Sequence, residues 1–260
     1  MAFITFALLM NVSLVSIASA ETNLVASWNF NEGAGTVATD GSGNGNNANL
    51  INGPVWINGI GKALQFDGTN DYTVKTSAIG IPAKSPLTIA LWVKAKSFSN
   101  PKWNDLFRKE GSWAIQADPS GKLNFEITSK ADTVSTVAIP ANTWTHVAVT
   151  FEGTTLKFYK NGVLGDTKTQ TIIPNTGLNT IDIGGYTSWG TYLNGALDEV
   201  KIYKRALSAA EINAEYLKTG TSTPIPAPTL TPAPTKTPIP QATLTPVPTV
   251  TPAPTKTPIP

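Results

Sequence analysis

Gly195, Ala196, Leu197, Asp198, Glu199, Val200, Lys201, Ile202 and Tyr203 alternate apolar and polar side chains with the period of a β-strand. Strict alternation puts Asp198 on one face with Ala196, Val200 and Ile202, and Glu199 and Lys201 on the other. A carboxylate facing a core is costly unless paired, hydrogen-bonded or metal-bound. No Arg or Lys shares its face of this strand, so two solutions stay open. One is a hard cation held by oxygen ligands; the other is a set of backbone N–H donors at the sheet end. Just downstream, Ser208, Ala209, Ala210 and Glu211 have the form of a capping box, with Leu207 and Ile212 at the hydrophobic-staple positions. They predict one short helix from about Ala209 to Lys218 that stops at Gly220.

Upstream, the same period recurs. Leu24, Ala26, Trp28 and Phe30 alternate, as do Leu87, Ile89, Leu91 and Val93, then Trp113, Ile115 and Ala117, then Leu123, Phe125 and Ile127. Polar or small residues between the apolar ones suit strands with one buried face. Asn161 and Gly162, between two strand-like runs, carry the signature of a two-residue hairpin, because both loop positions of a type I′ turn need positive φ. Many short strands and one late helix indicate an all-β fold, a two-sheet antiparallel β-sandwich with one short C-terminal helix. About 200 residues, 21–220, are available for it, enough for one sizeable core.

The ends read differently. Phe3 to Ile17 is an uncharged apolar run followed by Ala18, Ser19 and Ala20, the small-residue spacing of a signal-peptidase site. Residues 1–20 are therefore read as a secretory signal, which leaves a secreted, extracellular or cell-surface protein with no membrane insertion after cleavage. No Lys or Arg precedes the run, so an uncleaved anchor or a misassigned start is the alternative. From Thr221 onward, 13 of the 20 prolines alternate with threonine, and the decapeptide Thr231–Pro240 recurs at Thr251–Pro260. Such a segment, 221–260, behaves as a semi-rigid polyproline spacer of about 3.1 Å per residue, tethering the sandwich to other modules of a longer chain. The chain has no cysteine, which excludes a disulfide scaffold and thiolate metal sites. Its net charge of +2 matches Lys236 and Lys256 of the tail and leaves the rest near neutral, so nucleic acid is not an expected partner.

Four ordered stretches resemble the LamG-like jelly-roll domains of the concanavalin A-like lectin/glucanase superfamily. They are Asp40 to Gly45, Phe66 to Tyr72, Trp144 to Ala148, and Gly195 to Tyr203 running into Ser208. The resemblance implies a jelly-roll sandwich that serves as a binding or adhesion module, commonly with a calcium ion near one edge. Carried over residue by residue, it implies calcium ligands from Asp198 and from the loop of Asp40, Ser42 and Asn44. The loop is chemically suited, with oxygen-bearing side chains at every second position and glycines between them, although a turn satisfied by water reads equally from the residues.

Glycoside hydrolases in the superfamily work with two carboxylates flanking the scissile bond. No Glu-x-Asp pattern occurs here; Glu126 and Glu152 read as solvated strand positions, and the lone histidine, His146, as a structural residue hydrogen-bonded within the sandwich. The expectation is a non-catalytic module. Sugar recognition needs aromatic faces flanked by hydrogen-bonding side chains. Tyr186, Trp189, Tyr192 and Asn194 in one Gly-bounded polar stretch, and Trp103 in another, meet that description. A polysaccharide or glycoprotein glycan is thus the expected ligand, with a protein-interaction or structural adhesion role as the competing class.

Overall fold

Alternating apolar runs require two sheets to bury their faces against each other. A computed structural model of the chain describes residues 23–98, 103–128, 130–174, 177 and 180–220; the expected signal at 1–20 and the Thr/Pro segment at 221–260 lie outside the described residues. The first sheet orders β14 (Val163–Thr169), β13 (Thr155–Lys160), β12 (Thr145–Glu152), β7 (Leu87–Ser97), β16 (Asn194–Tyr203), β5 (Gly61–Asp67) and β4 (Val55–Gly59). β1 (Leu24–Trp28) also pairs with β16. The second orders β11 (Ala131–Ala138), β10 (Lys122–Ile127), β9 (Trp113–Ala117), β8 (Asn104–Lys109), β15 (Ile181–Ile183), β6 (Tyr72–Lys75), β3 (Ala48–Ile51) and β2 (Val37–Ala38). Neighbours are antiparallel, and β7 lies between β12 and β16 while β15 lies between β6 and β8. The chain therefore crosses repeatedly between the sheets, as in the jelly roll expected from the sequence. The hairpin at Asn161 (φ 49°) and Gly162 (φ 78°) forms as read, with Lys160 opposite Val163.

Between the sheets, aromatic rings run from one to the other. Trp28 meets Phe107 at 6.2 Å between centroids, Phe107 stacks on Trp113 at 5.7 Å, Trp113 on Phe125 at 6.3 Å and Phe125 on Phe151 at 5.7 Å. All five rings are buried, and Trp28 Nε1 donates to the Asn46 carbonyl at 2.8 Å, so its one polar atom is satisfied. Each aromatic contact of this kind adds about 0.5–1.5 kcal/mol beyond area burial.

The helix α1 (Ala209–Gly220) covers the outer face of the first sheet. Its start has the predicted box: Ser208 Oγ accepts from Glu211 N at 3.3 Å and Glu211 Oε2 accepts from Ser208 N at 2.9 Å. Leu207 and Ile212 pack with Ala90, Ala148, Tyr159 and Tyr203, and Tyr216 stacks on Trp92 at 5.6 Å. His146 lies under this helix, 5.6 Å from the Trp92 ring and 5.9 Å from the Tyr216 ring. Burial, then the nearby Lys201 charge, pushes its pKa down to about 4, which keeps the imidazole neutral. Its Nδ1 has no hydrogen-bond partner among the described residues, while its backbone N–H donates to Asn161 Oδ1 at 3.0 Å and its carbonyl accepts from Asn161 N at 2.8 Å.

Two expectations are corrected here. Asp198 does not share a face with Val200 and Ile202, because a bulge between Asp198 and Lys201, with Glu199 at φ 49°, shifts the alternation by one. Leu197, opposite Val93, joins Val200 and Ile202 inside the sandwich, while Asp198, opposite Trp92, lies buried on the helix side of the sheet. The second correction concerns the second sheet. β8 and β9 are buried at every position and β10 at all but Lys122, so the face turned away from the core is covered as well.

Candidate functional site

That second covered face carries an unusual set of side chains. In β10, Leu123, Phe125 and Ile127 point into the core, which turns Asn124 and Glu126 outward; in β9, Gln116 does the same between Ile115 and Ala117. β8 has a register shift between Asp105 and Phe107. Leu106 and Phe107 both enter the core there, and Asp105 and Arg108, three apart, both face outward. Asp182 of β15 lies opposite Arg108 and joins them.

Arg108 is the centre of the set and is fully buried. Its Nη2 lies 2.9 Å from Asp105 Oδ1 and 2.7 Å from Glu126 Oε2, and its Nε donates to Asp105 Oδ1 at 3.1 Å. Gln116 donates to Asp105 at 3.3 Å, and Asn124 donates to Gln116 at 3.0 Å and to Asp132 at 2.9 Å, so a polar belt crosses four strands. Thr191 Oγ1 also donates to Asp105 Oδ2. Arg108 Nη1, Asn104 Oδ1 and Asn124 Oδ1 have no partner among the described residues. Glu126, read from the sequence as solvated, is thus a buried partner of Arg108, whereas Glu152 is exposed as expected. The reason is tertiary: the outer face of this strand is roofed.

The roof is the stretch after β15. Tyr186 and Thr191 exchange backbone hydrogen bonds at 3.2 Å and close a four-residue turn over 187–190, in which Gly190 has φ 63°. Tyr186 and Trp189 meet edge to face at 5.6 Å and 81°, and the Arg108 guanidinium lies 4.5 Å from the Tyr186 ring centroid and 4.6 Å from that of Trp189. Trp189 is nevertheless 46% exposed, the one aromatic among the exposed large apolar side chains of the described residues. Tyr186 Oη is 3.2 Å from Glu110 Oε1.

Burial shifts the acids of this face. Asp105 is pushed up to about 6, with Arg108 and the Thr191 hydroxyl acting against burial. Asp182 is pushed up to about 7 by burial and by the charges of Glu110 and Asp105, and no hydrogen bond lowers it.

Of the expected ligand-binding residues, the fold brings Tyr186 and Trp189 together. Tyr192 packs on Gly185, where a Cβ would run into its ring, and lies near enough to Asp182 for that charge to raise the phenol pKa after burial. Trp103 is half-buried immediately before β8. Asn194 belongs to the first sheet, and its amide donates to Ser97 Oγ at 3.2 Å. Sequence reasoning missed Arg108, Asp105, Gln116, Asn124 and Asp182; the outward positions of Gln116 and Asn124 follow from the alternation it recognised.

The expected calcium residues occupy two places. Asp40 Oδ1 accepts from Ser27 N and Ser42 N, each at 2.9 Å, and Oδ2 from Asn46 N and Ser42 Oγ, each at 2.8 Å. Burial pushes its pKa up, but these bonds outweigh it and hold the carboxyl below the usual range. Asn44 donates its amide to the Leu24 and Val25 carbonyls at 3.0 and 3.1 Å. Asp198 Oδ2 accepts from Ile60 N and Oδ1 from Glu199 N, each at 2.8 Å, and burial pushes its pKa up to about 8. It shares no hydrogen-bond partner with the Asp40 loop, and no group of three or more His, Cys, Asp or Glu is arranged around a common point among the described residues. Each Asp198 oxygen takes one backbone N–H, the second of the two arrangements the sequence left open.

Strand order and packing define a jelly-roll sandwich of the concanavalin A-like kind. The family Laminin_G_3, described as concanavalin A-like lectin/glucanases superfamily, matches residues 67–213, and the chain belongs to it. Comparison with curated proteins by sequence gives no match. Among solved structures, the chain is similar to the binding domain of Paraclostridial Mosquitocidal Protein 1, at TM-score 0.65 and 20% identity over 78% of this chain and 54% of that one. It is similar to domain 4 of AbnA, an extracellular arabinanase of Geobacillus stearothermophilus solved with arabinotriose, at TM-score 0.62 and 23% identity over 75% of this chain and 98% of that one. It is also similar to a botulinum neurotoxin type C structure whose cell entry depends on two ganglioside molecules, at TM-score 0.60 and 16% identity over 78% and 53%. The chain spans about half the length of the two toxin structures. At these identities the likeness is one of fold.

Proposed function

We propose that this domain is a non-catalytic module that binds glycans at the 186–191 loop over the second sheet, with Trp189 and Tyr186 as the stacking platform. The half-exposed Trp189 ring beside Tyr186, both held over a buried, carboxylate-clamped Arg108, carries this reading. Stacking needs a fixed ring with one free face, and hydroxyl recognition needs fixed donors and acceptors beside it. Asp105 and Glu126 come from different strands but converge on one guanidinium, an arrangement suited to orientation rather than to acid and base work on a bond between them. The AbnA domain solved with arabinotriose supports a sugar as ligand. Secretion by the 1–20 signal and a spacer at 221–260 complete the proposal, as does a calcium ion at Asp198, supported by the raised pKa that burial gives that carboxyl despite its two backbone hydrogen bonds.

A glycan array followed by titration of the best hit tests the reading. Affinity is expected to be weak, because one shallow site offers few contacts to offset ordering. Trp189→Ala should lose most of the binding while its melting temperature stays near that of the parent. Binding that survives this substitution refutes the platform, and turnover of the hit refutes the non-catalytic reading. The protein-interaction alternative has its own surface: Val163 (67% exposed) and Leu164 (44%) on edge strand β14.

A further inference from the structure

A stacked sugar ring is free to turn until polar groups at its edge fix it. Beside Trp189 and Tyr186, Glu110 is placed for that task. It stands in the turn between β8 and β9, where Ser112 N donates to Lys109 O at 3.0 Å and Gly111 has φ 69°. Its own N–H donates to Thr180 O at 3.1 Å, so the backbone that carries it is held from two sides. Glu110 is half-buried, as is Tyr186, and both keep contact with solvent. Tyr186 Oη donates to Glu110 Oε1 at 3.2 Å and is the one side-chain partner of this carboxylate among the described residues; Oε2 has none there. No ion pair of the described residues includes Glu110, and Arg108 is committed to Asp105 and Glu126.

We propose that Glu110 is the specificity residue of the platform, its carboxylate accepting hydrogen bonds from two adjacent hydroxyls of a glycan stacked on Trp189. The inference rests on the glycan reading above and adds the residue that orients the sugar and the class of sugar it selects, one with a free vicinal diol. Arg108 lies 4.6 Å from the Trp189 centroid on one face of that ring, which leaves the opposite face for the ligand. Tyr186 stands edge to face with Trp189 at 5.6 Å and carries its hydroxyl to Glu110, so the carboxylate lies one phenol ring beyond the stacking face. A di- or trisaccharide spans that interval. An ionised carboxylate accepts at both oxygens and donates at neither. Two neighbouring hydroxyls, one to each oxygen, match its planar fork as the two N–H groups of an arginine do, and bonds to a charged acceptor are roughly twice as strong as neutral ones.

Titration calorimetry decides it, with arabinotriose, cellotriose and galactotriose as probes, or the best array hit if none of the three binds. Four proteins are compared: the parent, Glu110→Gln, Tyr186→Phe and the double variant, each shown to be folded by a melting curve. Glu110→Gln should weaken binding on the order of tenfold in the parent and again in the Tyr186→Phe background. That second measurement separates contact with the sugar from support of the tyrosine, because Tyr186→Phe keeps the ring and removes the phenol that Glu110 holds. In a mono-deoxy scan of the bound glycan, two adjacent positions should shrink the Glu110→Gln effect to about threefold or less. A Glu110→Gln effect below about threefold in the parent, an effect that vanishes once residue 186 lacks its hydroxyl, or a scan with no adjacent pair overturns the proposal while leaving glycan binding intact. If no trisaccharide and no array glycan binds, the glycan reading itself has failed, and this inference with it.

Discussion

Replacing Arg108 by methionine removes the charge that two buried carboxylates converge on while keeping much of the side-chain volume. Asp105 is fully buried and Glu126 5% exposed, and both lie within 3 Å of the guanidinium. Breaking a buried pair by deleting one partner costs about 3–5 kcal/mol, because a charge is left in a poor solvent. The two ring contacts at 4.5 and 4.6 Å go with it. For a domain of this size about 1 kcal/mol moves the melting temperature by 2–4 °C, so Arg108→Met should melt roughly 6–20 °C lower at pH 8. The loss should depend on pH. Arg108 opposes the burial that raises the Asp105 pKa to about 6; without it that value rises further, and acidification discharges the orphan. The deficit should therefore be smaller at pH 5 than at pH 8. Calorimetric melting of the variant and of the triple variant Arg108→Met, Asp105→Asn, Glu126→Gln tests the cause, since neutralising the carboxylates should recover much of the loss. A single variant within about 2 °C of the parent at pH 8, or a triple variant no better than the single, would refute the argument that charge burial governs this face.

Asp182 titrates near 7 in the fold against an ordinary 3.8, so the folded state holds a proton that the unfolded chain has released; that contribution is complete below 3.8 and is lost as pH rises through 7. Urea unfolding should show stability falling with pH in this window by about 1.4 kcal/mol per unit from this group, with Asp105 adding in the same direction below about 6. Asp182→Asn should flatten the slope, and equal slopes in both proteins would contradict it. Ser208→Ala removes the acceptor of Glu211 N at 3.3 Å and should cost about 1 kcal/mol, read as a fall of a few degrees in melting temperature. Calcium at about 100 times its dissociation constant should add roughly 2.7 kcal/mol over chelator, and Asp198→Asn should abolish that increment. Should Asp40→Asn abolish it while Asp198→Asn does not, the ion belongs to the loop.

The sequence by itself determined what depends on neighbours along the chain. Period-2 alternation located β9, β10 and β7, Asn161-Gly162 closed a hairpin because its two residues tolerate positive φ, and Ser208 with Glu211 started the helix through bonds three residues apart. These signals are local and need no knowledge of what lies across the sheet. Tertiary structure alone decided the site. One extra residue at Glu199 moved Asp198 to the other side of its sheet, and the register shift in β8 placed Asp105 and Arg108 together where simple alternation separates them. A bulge reverses every inference of facing beyond it, and it is fixed by pairing with neighbouring strands rather than by residue type. Asp105 and Glu126 bear no recognisable spacing in sequence; they meet because β8, β9 and β10 are adjacent and because Arg108 reaches both. Tyr186 and Trp189 were legible as aromatics in a polar loop, but their footing on a buried guanidinium was not, since a loop's direction is set by the sheet it folds over.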